Sequence, residues 1–457
     1  MTRRLPILGE PGSSTALKRD GKRDFIVPAD VAGRFTWRRR VVFALLIAVY
    51  VATPWIQLNG HPLVFLDLEH RAFYLFGGTF NAQDVWLVFF LLSGLGFLLI
   101  LATALWGRVW CGYACPQTVF MEGVFRRIER FVEGPRNLHL RRDAGPWSLD
   151  RVARKTLKHV LFGLMAVLIA HAFLSYFVSW PGLLRMVRGA PSQHPEAFAW
   201  AFCTSLILYL NFAWFREQLC LIVCPYGRLQ SVLTDQDTLV IGYDAQRGEP
   251  RGKAAQHPAA CVDCGRCVVV CPTGIDIRNG LQLDCIGCAA CIDACDTVME
   301  HLKQPRGLIR YDSGNGLAGA PKRFWRPRLH LYLALGAVGL VVAALSASSR
   351  EPFEANLLRL PGAPFVLEAD GHQVRDALEL HLVNKGPQTE RFEVRGVGDP
   401  DLRFVVAQPQ LSLPSLGERR VPIFVSGPND RKPRRIRLEV RAGDGVRSAE
   451  AAFLAPR

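Results

Sequence analysis

The chain has 457 residues, half of them hydrophobic, and carries 55 Lys and Arg against 40 Asp and Glu, a formal net charge of +15. The composition excludes a disordered chain and a collagen-like fibre, and thirteen cysteines over such a length are too sparse for a disulfide mini-protein. Length predicts roughly three structural units, and the excess charge leaves nucleic acid, membrane lipid or an acidic partner open.

Met1–Arg40 is polar and basic for too long to read as a signal peptide. Five apolar runs follow: Val41–Leu58, Val85–Trp106, Leu157–Val178, Ala197–Val223 and Leu329–Ala347. A membrane helix needs roughly 20 mostly apolar residues, so these predict about five spans. The fourth is interrupted by Asn211, Arg216 and Glu217. A buried globular helix is the alternative for any single run, but basic residues gather at alternate ends. Arg38, Arg39 and Arg40 abut the first run, the Trp106–Thr156 loop is densely basic, and Lys322, Arg323, Arg326 and Arg328 precede the fifth. Asn59–Asp84 and Ser179–Glu196 hold only Arg71, Arg185 and Arg188. Basic loops mark the cytoplasmic side, which predicts a cytoplasmic N-terminus, a cytoplasmic Cys224–Arg328 segment and an external C-terminus.

The segment Cys224–Arg328 holds the strongest motif: Cys261-x2-Cys264-x2-Cys267-x3-Cys271-Pro272, then Cys285-x2-Cys288-x2-Cys291-x3-Cys295. Three cysteines at x2 spacing wrap one iron–sulfur cluster, and the fourth, set apart by x3, ligates the other. The predicted ligand sets are Cys261, Cys264, Cys267 and Cys295 for one [4Fe–4S] cluster, and Cys285, Cys288, Cys291 and Cys271 for the second. Zinc ribbons also use C-x2-C, but a third cysteine at x2 is idle in that scheme. Disulfides suit a reducing cytoplasm poorly. Asp296 stands where the second run would carry proline.

Two further pairs, Cys111-x3-Cys115-Pro116 and Cys220-x3-Cys224-Pro225, sit at the ends of spans. At i, i+4 each pair shares one helical face, and the proline helps end each helix. Four thiolates at one membrane level suit a soft ion such as Cu(I), or another iron–sulfur centre; small buried hydrophobes are the bland alternative. Cys203, mid-span, reads as such a packing residue. His159 and His171 read as helix-packing histidines, and Gly94-Leu95-Gly96 as close helix packing, since no strand precedes it to make a dinucleotide fingerprint.

After the fifth run the texture changes. Pro361–Pro456 has no cysteine and alternates with period two at Ala377–Val383, Glu390–Val397 and Arg435–Val440. Turn signals such as Asn384-Lys385-Gly386, Gly427-Pro428-Asn429-Asp430 and Gly443-Asp444-Gly445 separate the runs. Short alternating strands with regular turns predict a small β-sandwich, a barrel being the main competitor. It reads as a binding or docking module.

In this order the pieces closely resemble the CcoG/FixG/RdxA family of bacterial membrane polyferredoxins. The resemblance rests on Gly107–Thr118 (GRVWCGYACPQT), Arg216–Gln230 (REQLCLIVCPYGRLQ), Tyr243–Lys253 (YDAQRGEPRGK), Cys271–Gly280 (CPTGIDIRNG), Cys285–Asp296 (CIGCAACIDACD) and Pro305–Tyr311 (PRGLIRY). It runs from about Phe35 to the C-terminus and implies an immunoglobulin-like C-terminal domain. Asp296 in place of proline is itself a family feature. The resemblance further implies a role in assembly of a cbb-type haem–copper oxidase, by reduction of Cu(II) to Cu(I) before delivery, with assembly factors or copper chaperones as partners.

The sequence is thus read as a multi-domain membrane protein of the bacterial inner membrane. Its parts are a basic N-terminal segment (1–40), a membrane domain with four spans (41–223), a cytoplasmic segment (224–328) with a bacterial-type two-[4Fe–4S] ferredoxin core (255–300), a fifth span (329–347) and a periplasmic all-β, immunoglobulin-like sandwich (348–457). Its cofactors are two [4Fe–4S] clusters, with Cys111, Cys115, Cys220 and Cys224 the candidate copper site. An electron-transfer subunit between a cytoplasmic donor and quinone, without copper chemistry, is the alternative, and a scaffold with structural clusters a third. Charge beside spans is explained by topology and anionic lipid, so no nucleic acid is expected. The electron donor stays unnamed and the oligomeric state open, a homo-oligomer included.

Overall fold

The computed structural model describes residues 25–455 except 59, 69–71, 82–84, 253–258, 283, 322, 324, 349–350, 361–362, 364, 369–371, 387, 431 and 444. The N-terminal segment to residue 24, with Arg71, Lys253, Lys322 and Asp444 of the readings above, lies outside the described residues. The chain divides into two compact units: Met1–Gln57 with Leu91–Leu340, and Leu58–Phe90 with Val341–Arg457.

Among the described residues, four helices are long and apolar enough to cross a membrane: Trp86–Trp106, Leu149–Leu174, Pro195–Phe215 and Pro327–Ser348. They coincide with four of the five apolar runs. Their large apolar side chains face outward, Leu340 being 73% exposed and Ile207 65%. Helices apolar on their outer surface need hydrocarbon as solvent. Three of the four begin on an identifiable signal. Ser148 caps Leu149–Leu174 by accepting the Arg151 N–H at 3.2 Å, and Pro195 and Pro327 open their helices at the position that lacks an intrahelical partner.

The first predicted span differs. Its helix is Arg34–Ala52, and only Val41–Ala52 of it is free of charge, short of the roughly 20 residues a span needs. At its start the Asp293 carboxylate accepts the Thr36 N–H and hydroxyl, both at 2.7 Å, and Arg39 Nε donates to the Gly112 carbonyl at 3.0 Å. At its end the Tyr50 hydroxyl donates to the Ile169 carbonyl at 2.9 Å, and the Tyr176 hydroxyl donates to the Tyr50 carbonyl at 2.8 Å. A carboxylate at a helix N-terminus meets unpaired N–H groups and the positive dipole end. Gly33 makes the approach possible, because a Cβ there would collide with Asp293.

Two packing expectations are corrected. A Cβ at Gly94 or Gly96 would meet nothing within 4 Å, so these glycines do not mark close helix packing among the described residues. Cys203 is exposed on the Pro195–Leu210 helix and fills no core. The histidines keep their packing role: His159 Nδ1 pairs with the Tyr209 hydroxyl at 2.9 Å and His171 Nδ1 with the Val167 carbonyl at 2.8 Å.

An aromatic core joins the segment after Cys115 to two of the spans. Phe125 stacks on Phe212 at 4.3 Å and meets Phe162 edge-on at 4.9 Å, all three buried. Beside it lies a buried ion network. Arg216 holds Glu129 with two parallel bonds of 2.9 and 2.8 Å, and Lys158 reaches Glu133 at 3.1 Å. The same unit contains a small α/β part. Strands Val240–Tyr243 and Ile309–Asp312 pair antiparallel, with Ile241 opposite Tyr311. They close over helix Ala290–His301 through Ile292, Met299, Leu308 and Ile309.

In the second unit, two separate antiparallel sheets answer the sandwich-or-barrel question in favour of a sandwich, because each keeps two free edges. The strand Gln373–Asn384 pairs with Glu418–Pro428, which sets Leu378 opposite Ile423 and Leu380 opposite Val421. Strand Glu390–Gly398 pairs with Arg434–Ala442, setting Val394 opposite Val440. These alternate residues are buried and form the core, as period two requires. A three-stranded meander, Val64–Asp67, Ala72–Leu75 and Gly78–Asn81, was not predicted. Its second turn places Phe76 and Gly77 at positive φ, the conformation of a tight hairpin.

Candidate functional site

The eight cysteines of 261–295 are delivered by loops. Asp263, Gly265, Gly274 and Gly287 all have positive φ, which curls the backbone between successive sulfurs. The structure brings Cys261, Cys264, Cys267 and Cys295 around one cavity, walled by Val298, Leu308 and Ile309. Cys271, Cys285, Cys288 and Cys291 line a second, walled by Ile241, Ile275 and Ile277. Cys267 also reaches the second cavity, so the two cradles adjoin.

Burial pushes the Cys267 and Cys285 thiols up to about 12, and the Cys288 thiol up to about 11. Cys295 is raised to about 12 by burial and then by its neighbours Cys267, Cys261 and Cys264. Cys291 is raised well above the ordinary thiol value by burial and by Cys288, Cys285 and Cys271. Burial thus favours the protonated thiols, and a metal must displace those protons to bind. Among the described residues no three His, Cys, Asp or Glu side chains converge tightly enough for a single ion. All-sulfur donors ringing an apolar cavity fit a four-iron cluster, in which each sulfur binds a different iron.

Asp296 has a structural reason. Helix Ala290–His301 continues past Cys295, so a proline at 296 would sit inside it and break the hydrogen-bond ladder. The aspartate instead accepts the Gly307 N–H at 2.9 Å. After Cys271, by contrast, the short helix Arg266–Val269 has already ended and Pro272 is free to follow.

The membrane pairs are built differently from the expectation of one helical face. Cys111 lies in helix Val109–Tyr113, but Cys115 has extended backbone (ψ 126°) and caps the next helix, Pro116–Phe120. Cys224 (ψ 110°) likewise caps Pro225–Leu233, after the wide turn Leu219–Val223 that carries Cys220. Proline at the first helical position excludes helix from the residue before it, and so sets the second cysteine of each pair at a helix N-terminus. The thiols are mutual neighbours. Cys220 is raised to about 12 by burial and then by Cys115, Cys111 and Cys224. Burial raises Cys111 to about 11, against a hydrogen bond from Gln230, whose Nε2 lies 3.2 Å from the sulfur. Burial also raises Cys115, against the N–H groups of Thr118 and Gln117 at the helix start.

The two regions touch through backbone. A Cβ on Gly112 would lie 2.8 Å from the Ile286 carbonyl oxygen, and one on Gly287 2.9 Å from that of Arg108. The loop of Cys111 therefore abuts the loop between Cys285 and Cys288. Arg108 ties the same point, donating to the Gly227 carbonyl at 2.9 Å and the Cys285 carbonyl at 3.4 Å. Sequence reasoning passed over Arg108, Gly112, Gln230 and Asp293. Arg108 and Gly112 lie in GRVWCGYACPQT, and Gln230 ends REQLCLIVCPYGRLQ, so the signal was present but unweighted.

Comparison with known proteins follows this geometry. Residues 215–314 match a model described as a 4Fe-4S dicluster domain, residues 87–135 one described as a 4Fe-4S binding domain, and residues 343–456 the IG-like fold at the C-terminal of FixG. The 87–135 match spans Cys111 and Cys115. The chain is 36% identical to the nitrogen fixation protein FixG of Rhizobium meliloti, over 84% of this chain and 82% of that protein. It is 36% identical to RdxA of Cereibacter sphaeroides over 83% of each chain, and 32% identical to RdxB of the same organism over 83% of each.

Proposed function

Since the chain belongs to the FixG/RdxA family of iron–sulfur electron-transfer proteins, we propose that it reduces Cu(II) to Cu(I) in support of assembly of a cbb-type cytochrome c oxidase. The observation that carries this reading is the Gly112–Gly287 contact, which sets the Cys111 loop against the second cysteine cradle. In the proposal Cys261, Cys264, Cys267 and Cys295 hold one [4Fe–4S] cluster, and Cys271, Cys285, Cys288 and Cys291 the other. When bound, such clusters supply one-electron carriers. The chain's residues do the rest: Ile241, Ile277, Leu308 and Ile309 give the cradles apolar walls, which limit the access of water to the buried sulfurs.

Copper is the substrate in this proposal, taken by thiols of the group Cys111, Cys115, Cys220 and Cys224, which would have to draw closer on binding, since among the described residues no three of them converge on one point. Thiolates are soft donors that favour the cuprous product. The thiols must shed protons to bind, and Gln230 and the Thr118 and Gln117 N–H groups favour their charged forms. Purified protein should reduce Cu(II), and a variant with all four cysteines replaced by alanine should lose most of that activity. Unchanged activity would remove copper from this site.

We further propose a bacterial inner-membrane topology with the cysteine cradles cytoplasmic and the C-terminal sandwich periplasmic. Asp293 caps the Arg34–Ala52 helix on the cradle side, while Tyr50 meets Ile169 and Tyr176 beyond the other end of a span. That helix then carries the chain across with its arginines inside, as the charge rule favours. Trp55 against Trp180, 4.0 Å between rings, suits the opposite interface.

A second reading is electron exchange with quinone. An apolar cavity lined by Trp106, Leu239, Ile241 and Tyr311 lies beside Cys285, at the end of the Trp86–Trp106 span. Reduction by a quinol without copper, together with silent Cys111→Ala and Cys115→Ala variants, would favour it.

A further inference from the structure

We propose that a basic pocket at the start of the Arg34–Ala52 helix binds a phosphate group, either a lipid headgroup or free phosphate. Arg39, Arg40, Arg126, Arg127, Arg130 and Glu122 line it, with Pro272 and Ala290, the chain neighbours of Cys271 and Cys291, on another side. The inner pair is buried, with Arg39 7% and Arg126 4% exposed, while Arg40 and Arg127 form an exposed rim.

The buried guanidiniums are incompletely used. Arg39 Nε donates to the Gly112 carbonyl at 3.0 Å, but its Nη2 has no partner among the described residues. Arg126 Nη1 is paired with Glu122 and its Nη2 donates to the Pro272 carbonyl at 3.0 Å, while its Nε has none. A buried N–H of a charged group without an acceptor is costly. Two such donors converging on one cavity point to a missing anion.

The charge balance agrees. The acidic neighbours not taken up elsewhere are Glu122, Asp30 on Arg130, and Glu217 at 3.6 Å from Arg126; Glu129, which also acts on Arg126, is held by Arg216. The Asp293 carboxylate is taken up by Thr36. Five guanidiniums thus face three carboxylates, and Arg40 and Arg130 crowd Arg127 as like charges. The cavity is about 50 Å³, several times the ~10–15 Å³ that seats one water, which suits a single tetrahedral oxyanion. Forked guanidinium donors match phosphate oxygens better than a point cation does.

The test uses full-length, cluster-loaded protein in a phosphate-free maltoside detergent. Inorganic phosphate is titrated by calorimetry, and lipid retained through purification is counted by native mass spectrometry with and without added phosphatidylglycerol. The comparison variant is the rim double Arg40→Gln/Arg127→Gln, which leaves the buried pair intact. Iron content and melting temperature serve as folding controls. The proposal expects the rim variant to weaken phosphate binding or lipid retention by about tenfold or more at unchanged iron content. Lipid retained stoichiometrically and not displaced by phosphate identifies a headgroup. Phosphate binding with no retained lipid identifies the free anion. No binding of either kind, or equal binding by the rim variant, overturns the proposal.

Discussion

In residues 261–295 the sulfurs come from loops that curl at Asp263, Gly265, Gly274 and Gly287, while at 115 and 224 they come from helix ends fixed by proline. Both sets belong to one compact unit, and burial raises thiols in both. The loop-borne sulfurs ring largely apolar cavities, each suited to a bulky cluster, with Cys264 alone exposed among the eight. Polar groups stand by both sets, Gln230 on Cys111 and the Thr118 N–H near Cys115 in one, the Gly287 N–H near Cys285 and the Ala290 N–H near Cys288 in the other. A sulfur that must hold a resident group benefits from enclosure. One that must take up and release a substrate ion benefits from groups that favour its charged form.

The largest test of that contrast is Cys291→Ala against Cys115→Ala. The first should cost about half the iron and sulfide per chain, since one of two clusters loses a ligand; the second should leave both counts intact. Equal losses would mean that the membrane thiols hold a cluster too, and the contrast would fail.

Next in size is Gly112→Val, aimed at the contact between the regions. Its side chain would press on the Ile286 and Gly287 backbone, destabilising the junction by about 1–3 kcal/mol. The melting temperature should fall and Cu(II) reduction should slow while iron content holds. A variant with unchanged melting and rate would show that the two loops act independently.

Gln230→Ala should have a smaller effect, confined to the membrane set. Removing the amide raises the Cys111 thiol further above its present value of about 11. Alkylation of Cys111 in anaerobic protein should slow at every pH below that value, with the cluster spectrum unchanged. An unaltered pH profile would take Gln230 out of the site.

The smallest effect concerns the first cradle alone. Burial pushes the Asp276 carboxyl up, but hydrogen bonds from Arg278, at 2.7–2.8 Å, outweigh it and leave the group below its ordinary value of 3.8. A depressed carboxyl stabilises the fold above that ordinary value and loses its contribution as pH falls through the lower, folded one. Asp276→Asn should therefore lower the melting temperature at pH 6, and the gap to the parent should shrink towards pH 3. A gap that stays constant would show that the pair contributes no charge-dependent stability.

Much of this was legible in residue order. The two ferredoxin runs announce which cysteines share a cavity, because x2 spacing is set by how far a short loop reaches around a cluster. Period-two alternation announced the sandwich strands, as in Leu378, Leu380 and Leu382. The helical-face reading of Cys111 and Cys115 failed because proline acts on the residue before it, which is itself the second cysteine. The first apolar run gave no hint that its helix starts at Arg34, which leaves only Val41–Ala52 free of charge and puts it outside the four helices that are long and apolar enough by themselves. The meander at Val64–Asn81 was missed because each strand has only four residues, too few for alternation to stand out.

By itself, then, the sequence determined the chemistry: which sulfurs can serve iron, which segments need hydrocarbon, and where strands alternate. These are local properties, carried by spacing and hydropathy along a few turns of chain. Only the tertiary structure decided that Gly112 meets Gly287, that Asp293 caps a helix more than 250 residues away, and that Arg39 and Arg126 converge on one pocket. Such contacts join segments distant in the chain, and nothing in local spacing encodes them until packing brings the segments together.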